Sequence, residues 1–111
     1  MDRVQVGRNE ALFREVNEAI AATAIGTDAT EAGFVCECGD AGCTRRVTAE
    51  LAEYERVRAH PTRFLLEPGH EEPRFERVVH ETKRYAVAEK VEQTVAEIAR
   101  RLDPRAATAP G

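Results

Sequence analysis

All three cysteines of the chain lie in one short segment, C-E-C-G-D-A-G-C, which runs from Cys36 to Cys43. Its two glycines allow the backbone to turn tightly, so that three sulfurs can reach one ion at about 2.3 Å. No other feature constrains the fold as strongly, because the three thiols converge without long-range contacts. The spacing predicts a single metal site, and zinc is the ion that closed cysteine and histidine sites most often hold.

A closed tetrahedral zinc site needs a fourth ligand, and the chain offers three histidines. His70 follows Pro68-Gly69, which predicts a tight turn from which an imidazole ring can project. His60, at the end of a predicted helix, stays open as an alternative, whereas His80 lies inside a predicted strand and ranks below both. The predicted metal ligands are therefore Cys36, Cys38, Cys43 and His70.

Three other interpretations of the cysteines remain open at this point. Free cysteines are often buried as small apolar residues, although a segment containing Glu37 and Asp40 is a poor place to bury a thiol. An iron–sulfur cluster also accepts thiolates and occasionally histidine. A catalytic zinc would need an open coordination position beside Glu37 or Asp40, but three thiolates weaken the ion's ability to acidify water. The sequence therefore favours a structural zinc ion and no catalytic residue.

Composition and charge exclude several classes of protein. The 111 residues are 42% apolar and carry a net charge of −4, so the chain as a whole is not attracted to phosphate backbones. The longest uncharged run, 19–27, is too short to cross a bilayer, and the N-terminus lacks the pattern of a signal peptide. We therefore expect a cytoplasmic protein with reduced thiols and no membrane partner.

Periodicity and turn residues predict an α+β domain in the order α-β-α-β-β-β-α. Leu12, Val16 and Ile20 recur at intervals of four and predict the core face of the first helix. Tyr54 and Tyr85 also fall on apolar stripes. The predicted helices cover 8–23, 48–60 and 91–102, the strands cover 34–36, 63–67, 75–81 and 85–90, and 45–47 is extended.

The predicted strands form one small antiparallel sheet with flanking helices and a zinc knuckle. We expect a flexible N-terminus at 1–7, a single zinc-stabilised domain at 8–104 and a disordered tail at 105–111. In a domain with so modest a core, the metal cross-link contributes much of the folding free energy.

Arginines close to the cysteines suggest a second class of function. Together they would form a basic patch suited to nucleic acid or to another anionic ligand, although nearby glutamates favour an ordinary solvated surface. The residues concerned are Arg45, Arg46, Arg56, Arg58 and Arg63.

Several segments together resemble a family of small uncharacterised proteins of high-GC Gram-positive (actinobacterial) bacteria. The similarity covers roughly residues 8–104. It lies in R-N-E-A-L-F-R-E-V-N-E at 8–18, F-V-C-E-C at 34–38 with Cys43, E-Y-E-R-V-R at 53–58, P-T-R-F at 61–64, P-G-H at 68–70, E-R-V-V at 76–79 and E-K at 89–90. The resemblance implies that the cysteines and the Pro-Gly-His70 element form one unit, and it implies no activity.

The function that the sequence favours is a non-enzymatic regulatory or partner-binding module held together by structural zinc. Its partner is expected to be another protein. The alternatives are a nucleic-acid-binding protein that uses the arginines, and a metalloenzyme or iron–sulfur redox protein.

Overall fold

A computed structural model describes residues 2–106 and shows an α+β fold. Within these residues the helices are α1 (Arg3–Ile25), α2 (Leu51–Arg58) and α3 (Gln93–Arg101). The strands are β1 (Glu31–Val35), β2 (Arg46–Glu50), β3 (Arg63–Leu66), β4 (Glu76–Glu81) and β5 (Ala86–Lys90). No helix in this part of the chain has the length and apolar character needed to cross a membrane.

Helix α1 begins earlier than the sequence predicted. The side chain of Asp2 accepts a hydrogen bond from the backbone N–H of Gln5, at 2.8 Å, and so caps the helix at Arg3. Val6 is buried beside Phe75 and Val95, which anchors the first turns. Residues 3–7 therefore belong to α1, whereas the sequence predicted that the first helix begins at residue 8.

The predicted core face of α1 is also wrong. Leu12 is 55% exposed and Val16 is 41% exposed, and only Ile20 is partly buried against the core. The buried face of this helix instead carries Arg14 and Asn17, both of which are fully buried. These polar groups have partners inside the protein, and those partners determine which face of the helix points inward.

The strands form two sheets, whereas the sequence predicted one. Strands β1 and β2 pair as an antiparallel hairpin, and β3, β5 and β4 form a second antiparallel sheet in that order. Near the junction, Glu37 N–H donates to the Leu65 carbonyl, but Leu65 N–H donates to the Glu37 side chain. Because a carboxylate replaces the next backbone acceptor, the hydrogen-bond ladder does not continue from one sheet to the other.

The apolar core lies between the hairpin, α2 and the three-stranded sheet. The rings of Phe34 and Tyr54 stack with centroids 4.5 Å apart, and Phe64 is fully buried beside them in the same cluster. Both tyrosines are buried, Tyr54 completely and Tyr85 to all but 4%, as the sequence predicted. The core thus joins the hairpin that leads into the cysteine segment to the strand that leads to His70.

A buried ionic cluster lies under the first half of α1. The Lys90 ammonium bonds to the carboxylates of both Glu10 and Glu76, and it lies 4.8 Å from the centre of the Phe64 ring. Burial is the main influence on Glu10, and it raises the pKa of this carboxyl to about 8. Two carboxylates therefore share one buried cation.

The predicted disordered tail at 105–111 is only partly described. Arg105 is bound by Glu18 and Glu55, with its Nε 2.6 Å from Glu18 Oε1 and its Nη1 2.7 Å from Glu55 Oε2. This end of the domain is therefore fixed to α1 and α2 through residue 105. The rest of the predicted tail, 107–111, lies outside the described residues.

Candidate metal centre

The four predicted ligands meet at one point between the two sheets. Cys36, Cys38 and Cys43 belong to the loop that connects β1 to β2, and His70 belongs to the turn that follows β3. One sulfur from each cysteine and one ring nitrogen of His70 all lie within 4.8 Å of one another. The sequence spacing and the predicted turn are therefore both reflected in the structure.

The cysteine loop, residues 36–45, is folded by its own backbone. Cys36 N–H donates to the Arg45 carbonyl at 3.1 Å, which closes the base of the loop. At the tip, Cys43 N–H donates to the Asp40 carbonyl at 3.0 Å, and the Asp40 side chain accepts from Gly42 N–H at 2.9 Å. This aspartate turn brings Cys43 back toward the other two cysteines.

His70 is positioned by a tight turn. Its N–H donates to the Glu67 carbonyl at 3.0 Å, and Gly69 has a φ of +89°. Proline at the second position and a glycine with positive φ at the third are typical of a type II turn. The prediction of a turn carrying His70 is confirmed, and its backbone geometry requires glycine at position 69.

The distances within the cluster suit a single ion. His70 Nδ1 lies 3.7 Å from Cys36 Sγ and 3.6 Å from Cys43 Sγ. A tetrahedral ion bound by sulfur at about 2.3 Å and nitrogen at about 2.1 Å separates its ligand atoms by about 3.5 to 3.8 Å. The four side chains can therefore hold one tetrahedral metal ion, and a set of three sulfurs and one imidazole fits zinc.

The surroundings of the sulfurs affect the three thiols unequally, and burial raises the pKa of Cys43. Glu67 N–H donates to Cys36 Sγ at 3.2 Å. The Cys36 thiol hydrogen-bonds to the Cys38 sulfur, which lowers the pKa of Cys38 to about 5 and raises that of Cys36. A bound cation would favour the ionised form of all three thiols.

Glu37 is a structural residue that the sequence analysis did not identify. It lies between two ligands, is fully buried, and accepts from Asn17 Nδ2 at 2.7 Å and from Leu65 N–H at 2.8 Å. It therefore fixes the cysteine loop to both α1 and β3. The expectation that Glu37 keeps this segment away from the interior is wrong, because these two donors compensate for the burial of its carboxylate.

A cleft of about 390 Å³ borders the cluster. Cys38 and His70 contribute to its wall, together with the acidic residues Asp40, Glu71 and Glu72. Glu72 is bound by Arg74 at 2.5 Å, whereas no ion pair of Asp40 or Glu71 is present within residues 2–106. The face beside the ligands is therefore mainly acidic.

The other two histidines lie apart from the cluster. His60 follows α2, where its N–H donates to the Val57 carbonyl at 3.2 Å. His80 lies on β4, and its ring centre is 6.0 Å from that of Tyr85. The ligand group found within residues 2–106 contains neither of them, so the structure favours His70 as the fourth donor.

Three of the five arginines considered from the sequence are paired with carboxylates. Arg58 is buried and bonds to Asp103 and Glu18, and Arg46 donates to the carbonyls of Phe34 and Gly33. Two others are paired with carboxylates, Arg45 with Glu67 at 3.1 Å and Arg63 with Glu89 at 2.8 Å. Arg46 and Arg56 are exposed, so carboxylates compensate only part of the local positive charge.

No family model matches the sequence, and no curated protein or solved structure matches the chain. The case for a function therefore depends on the geometry and chemistry of the residues described above.

Proposed function

We propose that Cys36, Cys38, Cys43 and His70 bind one zinc ion, and that this ion stabilises a small partner-binding or regulatory module without enzymatic activity. The observation that carries the proposal is the convergence of four ligand atoms within 4.8 Å of one another. The donor set of three sulfurs and one nitrogen is one of the common sets of structural zinc sites. An iron–sulfur cluster is less favoured, because its thiolates bind different iron atoms and need wider spacing.

The site is structural rather than catalytic because its four donors complete a tetrahedron. A catalytic zinc ion keeps one position open for water or substrate. Here the ion would join the β1–β2 hairpin to the turn after β3, which belong to different sheets. Since the three-stranded sheet and the hairpin share no continuous ladder, the metal would add a cross-link to the Glu37 contacts and the apolar core that join them.

The acidic cleft beside the cluster supports a role in binding a partner. Its carboxylates are arranged around a wall that the metal ligands themselves form, so the ion would keep the cleft in shape. A basic segment of another protein suits this surface better than nucleic acid does. The cytoplasmic location that we propose agrees with this role, because reduced thiols are needed to bind zinc.

We also retain, as a proposal, membership in the actinobacterial family with the C-x-C-x4-C and Pro-Gly-His pattern. The positions that carry the resemblance include the four proposed ligands and the Gly69 position whose positive φ the turn requires. The family adds no activity, so the proposed function depends on the metal site.

Elemental analysis of the purified protein tests the proposal. We expect one zinc ion per chain, and we expect His70→Ala and Cys38→Ser to lower the metal content and the melting temperature. His60→Ala is the matched control, because it removes an imidazole outside the cluster and should leave both values unchanged. Chelation of the native protein should lower the melting temperature sharply. A metal-free protein whose melting is insensitive to added zinc and to chelators would contradict the proposal.

A further inference from the structure

The outer face of α1 is apolar, although a helix of this length normally buries such a stripe. Leu12 and Val16 are exposed near its middle, and Val4 near its start is 43% exposed. A shallow groove of about 560 Å³ follows along the second half, between residues 16 and 27. A second groove of about 350 Å³ lies between α1 and α3 and includes Val4 and Leu102. Apolar surface thus extends along both helices.

Specific polar contacts prevent α1 from turning this stripe inward. Glu10 bonds to Lys90 inside the protein, and Arg14 donates to the carbonyls of Pro61 and Ala99 at 2.7 and 2.6 Å. Asn17 donates to the carbonyl of Val35 at 2.9 Å and to Glu37. Rotation of the helix would leave these buried groups without partners, which costs more than exposing a few apolar side chains.

We propose that this face, formed by α1 and the adjoining side of α3, binds a second copy of the chain, with the two α1 helices antiparallel and crossing at Leu12. The stripe is spaced evenly about that residue, since Val4 and Ile20 lie eight positions on either side of it. In a twofold arrangement, Val4 of one copy therefore packs near Ile20 of the other. A crossing angle of about 20°, as in antiparallel helix bundles, keeps the two helices close over this length.

Charge complementarity supports a second copy as the occupant. In the antiparallel arrangement, Arg8 of one copy lies opposite Val16 of the other and beside Glu15 of that copy. Both Arg8 and Glu15 are exposed, and neither forms an ion pair with another residue in the described part of the chain. The twofold axis produces this pair twice, whereas within one copy the two residues are separated by two helical turns.

The available area fits a small, weak dimer interface. A helix of 23 residues, as α1 is, extends over about 34 Å at 1.5 Å per residue. At a width of about 10 Å, α1 presents roughly 340 Å² over that length, and α3, with its 9 residues, adds roughly 140 Å². The sum, roughly 480 Å² per partner, is that of a small interface, below the ~800 Å² of a standard one.

Light scattering coupled to size-exclusion chromatography, on the zinc-loaded full chain, tests the dimer. We expect a mass twice the 12.3 kDa of one chain, and a return to one chain mass in Leu12→Glu. Because Leu12 is exposed, the far-UV circular dichroism and the zinc content of the Leu12→Glu protein should remain unchanged. Val79→Glu is the matched control, since Val79 is 37% exposed on β4 beside a cavity that contains no residue of α1 or α3.

Charge reversal tests the arrangement independently of folding. Arg8→Glu and Glu15→Arg should each raise the dimer Kd about tenfold, because each places like charges together. The double variant should restore the Kd to within about threefold of the native value, because it recreates both pairs with reversed sign. A monomer at about 100 µM, a dimer that survives Leu12→Glu, or charge reversals whose effects simply add would each overturn the proposal.

Discussion

Replacing Glu37 with alanine should destabilise the zinc-loaded protein by about 3 kcal/mol, although residue 37 is not a proposed ligand. The buried N–H of Leu65 loses its acceptor, at a cost of about 1 to 3 kcal/mol. Asn17 loses a bond to a charged group but keeps the Val35 carbonyl, for about 1.5 kcal/mol more. Removal of a buried carboxylate offsets part of this sum. At about 4 °C per kcal/mol, the melting temperature should fall by about 12 °C.

Urea denaturation followed by circular dichroism, in excess zinc, measures this effect. Glu37→Gln should lower the free energy of unfolding by about half as much. Its side-chain carbonyl still accepts from Leu65 N–H, but its side-chain NH2 group faces the NH2 group of Asn17, and two donors cannot bond to each other. Glu31→Ala is the control, since the Glu31 side chain is 52% exposed and its ion pair with Arg84 contributes less than about 1 kcal/mol. Zinc content measured in parallel separates loss of packing from loss of metal.

A Glu37→Ala protein within about 0.5 kcal/mol of the native protein would refute this reasoning. It would show that the two hydrogen bonds to Glu37 contribute nothing net, so the cysteine loop would depend on its cysteines alone. Equal losses in Glu37→Ala and Glu31→Ala would refute it as well, because burial would then make no difference.

Three further predictions concern the interior and the turn. Lys90→Met should lower the free energy of unfolding by about 3 to 5 kcal/mol in urea denaturation, since it removes the buried cation to which Glu10 and Glu76 are bound. The exposed Lys83→Met should change this free energy little. Because the pKa of Glu10 is raised from 4.5 to about 8 in the folded protein, the folded state holds a proton that the unfolded chain has released. The free energy of unfolding should therefore fall as pH rises from about 4.5 to about 8, by up to 1.4 kcal/mol per pH unit, and Glu10→Gln should remove this part of the slope. Gly69→Ala should weaken zinc binding in a chelator competition, because the positive φ costs alanine about 1 to 2 kcal/mol and displaces His70; unchanged affinity would contradict the role of the turn.

The two halves of the candidate site could be predicted because each is determined locally. Cys36, Cys38 and Cys43 are brought together by a short loop, and the Pro68-Gly69 turn that positions His70 is specified by two adjacent residues. The helices and strands also follow from local periodicity and turn residues. Such signals do not depend on how distant parts of the chain pack.

The face of α1 could not be predicted, because the partners of its buried polar residues are far away in the sequence. Glu10 is paired with Lys90, 80 positions later, and Arg14 donates to Ala99, 85 positions later. An analysis of periodicity alone places Leu12 and Val16 inside, because it puts apolar residues in the core and charged residues at the surface. It cannot show that a buried charged residue has a distant partner. An apolar stripe is also what a helix at an interface between chains would show.

The burial of Glu37 and the division into two sheets have the same kind of cause. Both depend on Leu65, whose N–H bonds to the side chain of Glu37 instead of to a backbone carbonyl. A glutamate between two cysteines gives no local sign of such a contact. A stretch of alternating residues likewise predicts strands without showing which of them will share a ladder.

Titration of the metal-free, reduced protein with cobalt(II) tests the central claim most directly, because the absorption spectrum of this ion reports both its geometry and its sulfur ligands. The account predicts saturation at one ion per chain, with the strong visible bands of a tetrahedral site and a sulfur charge-transfer band, all displaced by zinc. It also predicts that His70→Ala weakens the binding and alters these bands while His60→Ala does neither. A weak octahedral spectrum, or a native spectrum in His70→Ala, would contradict the four-ligand site.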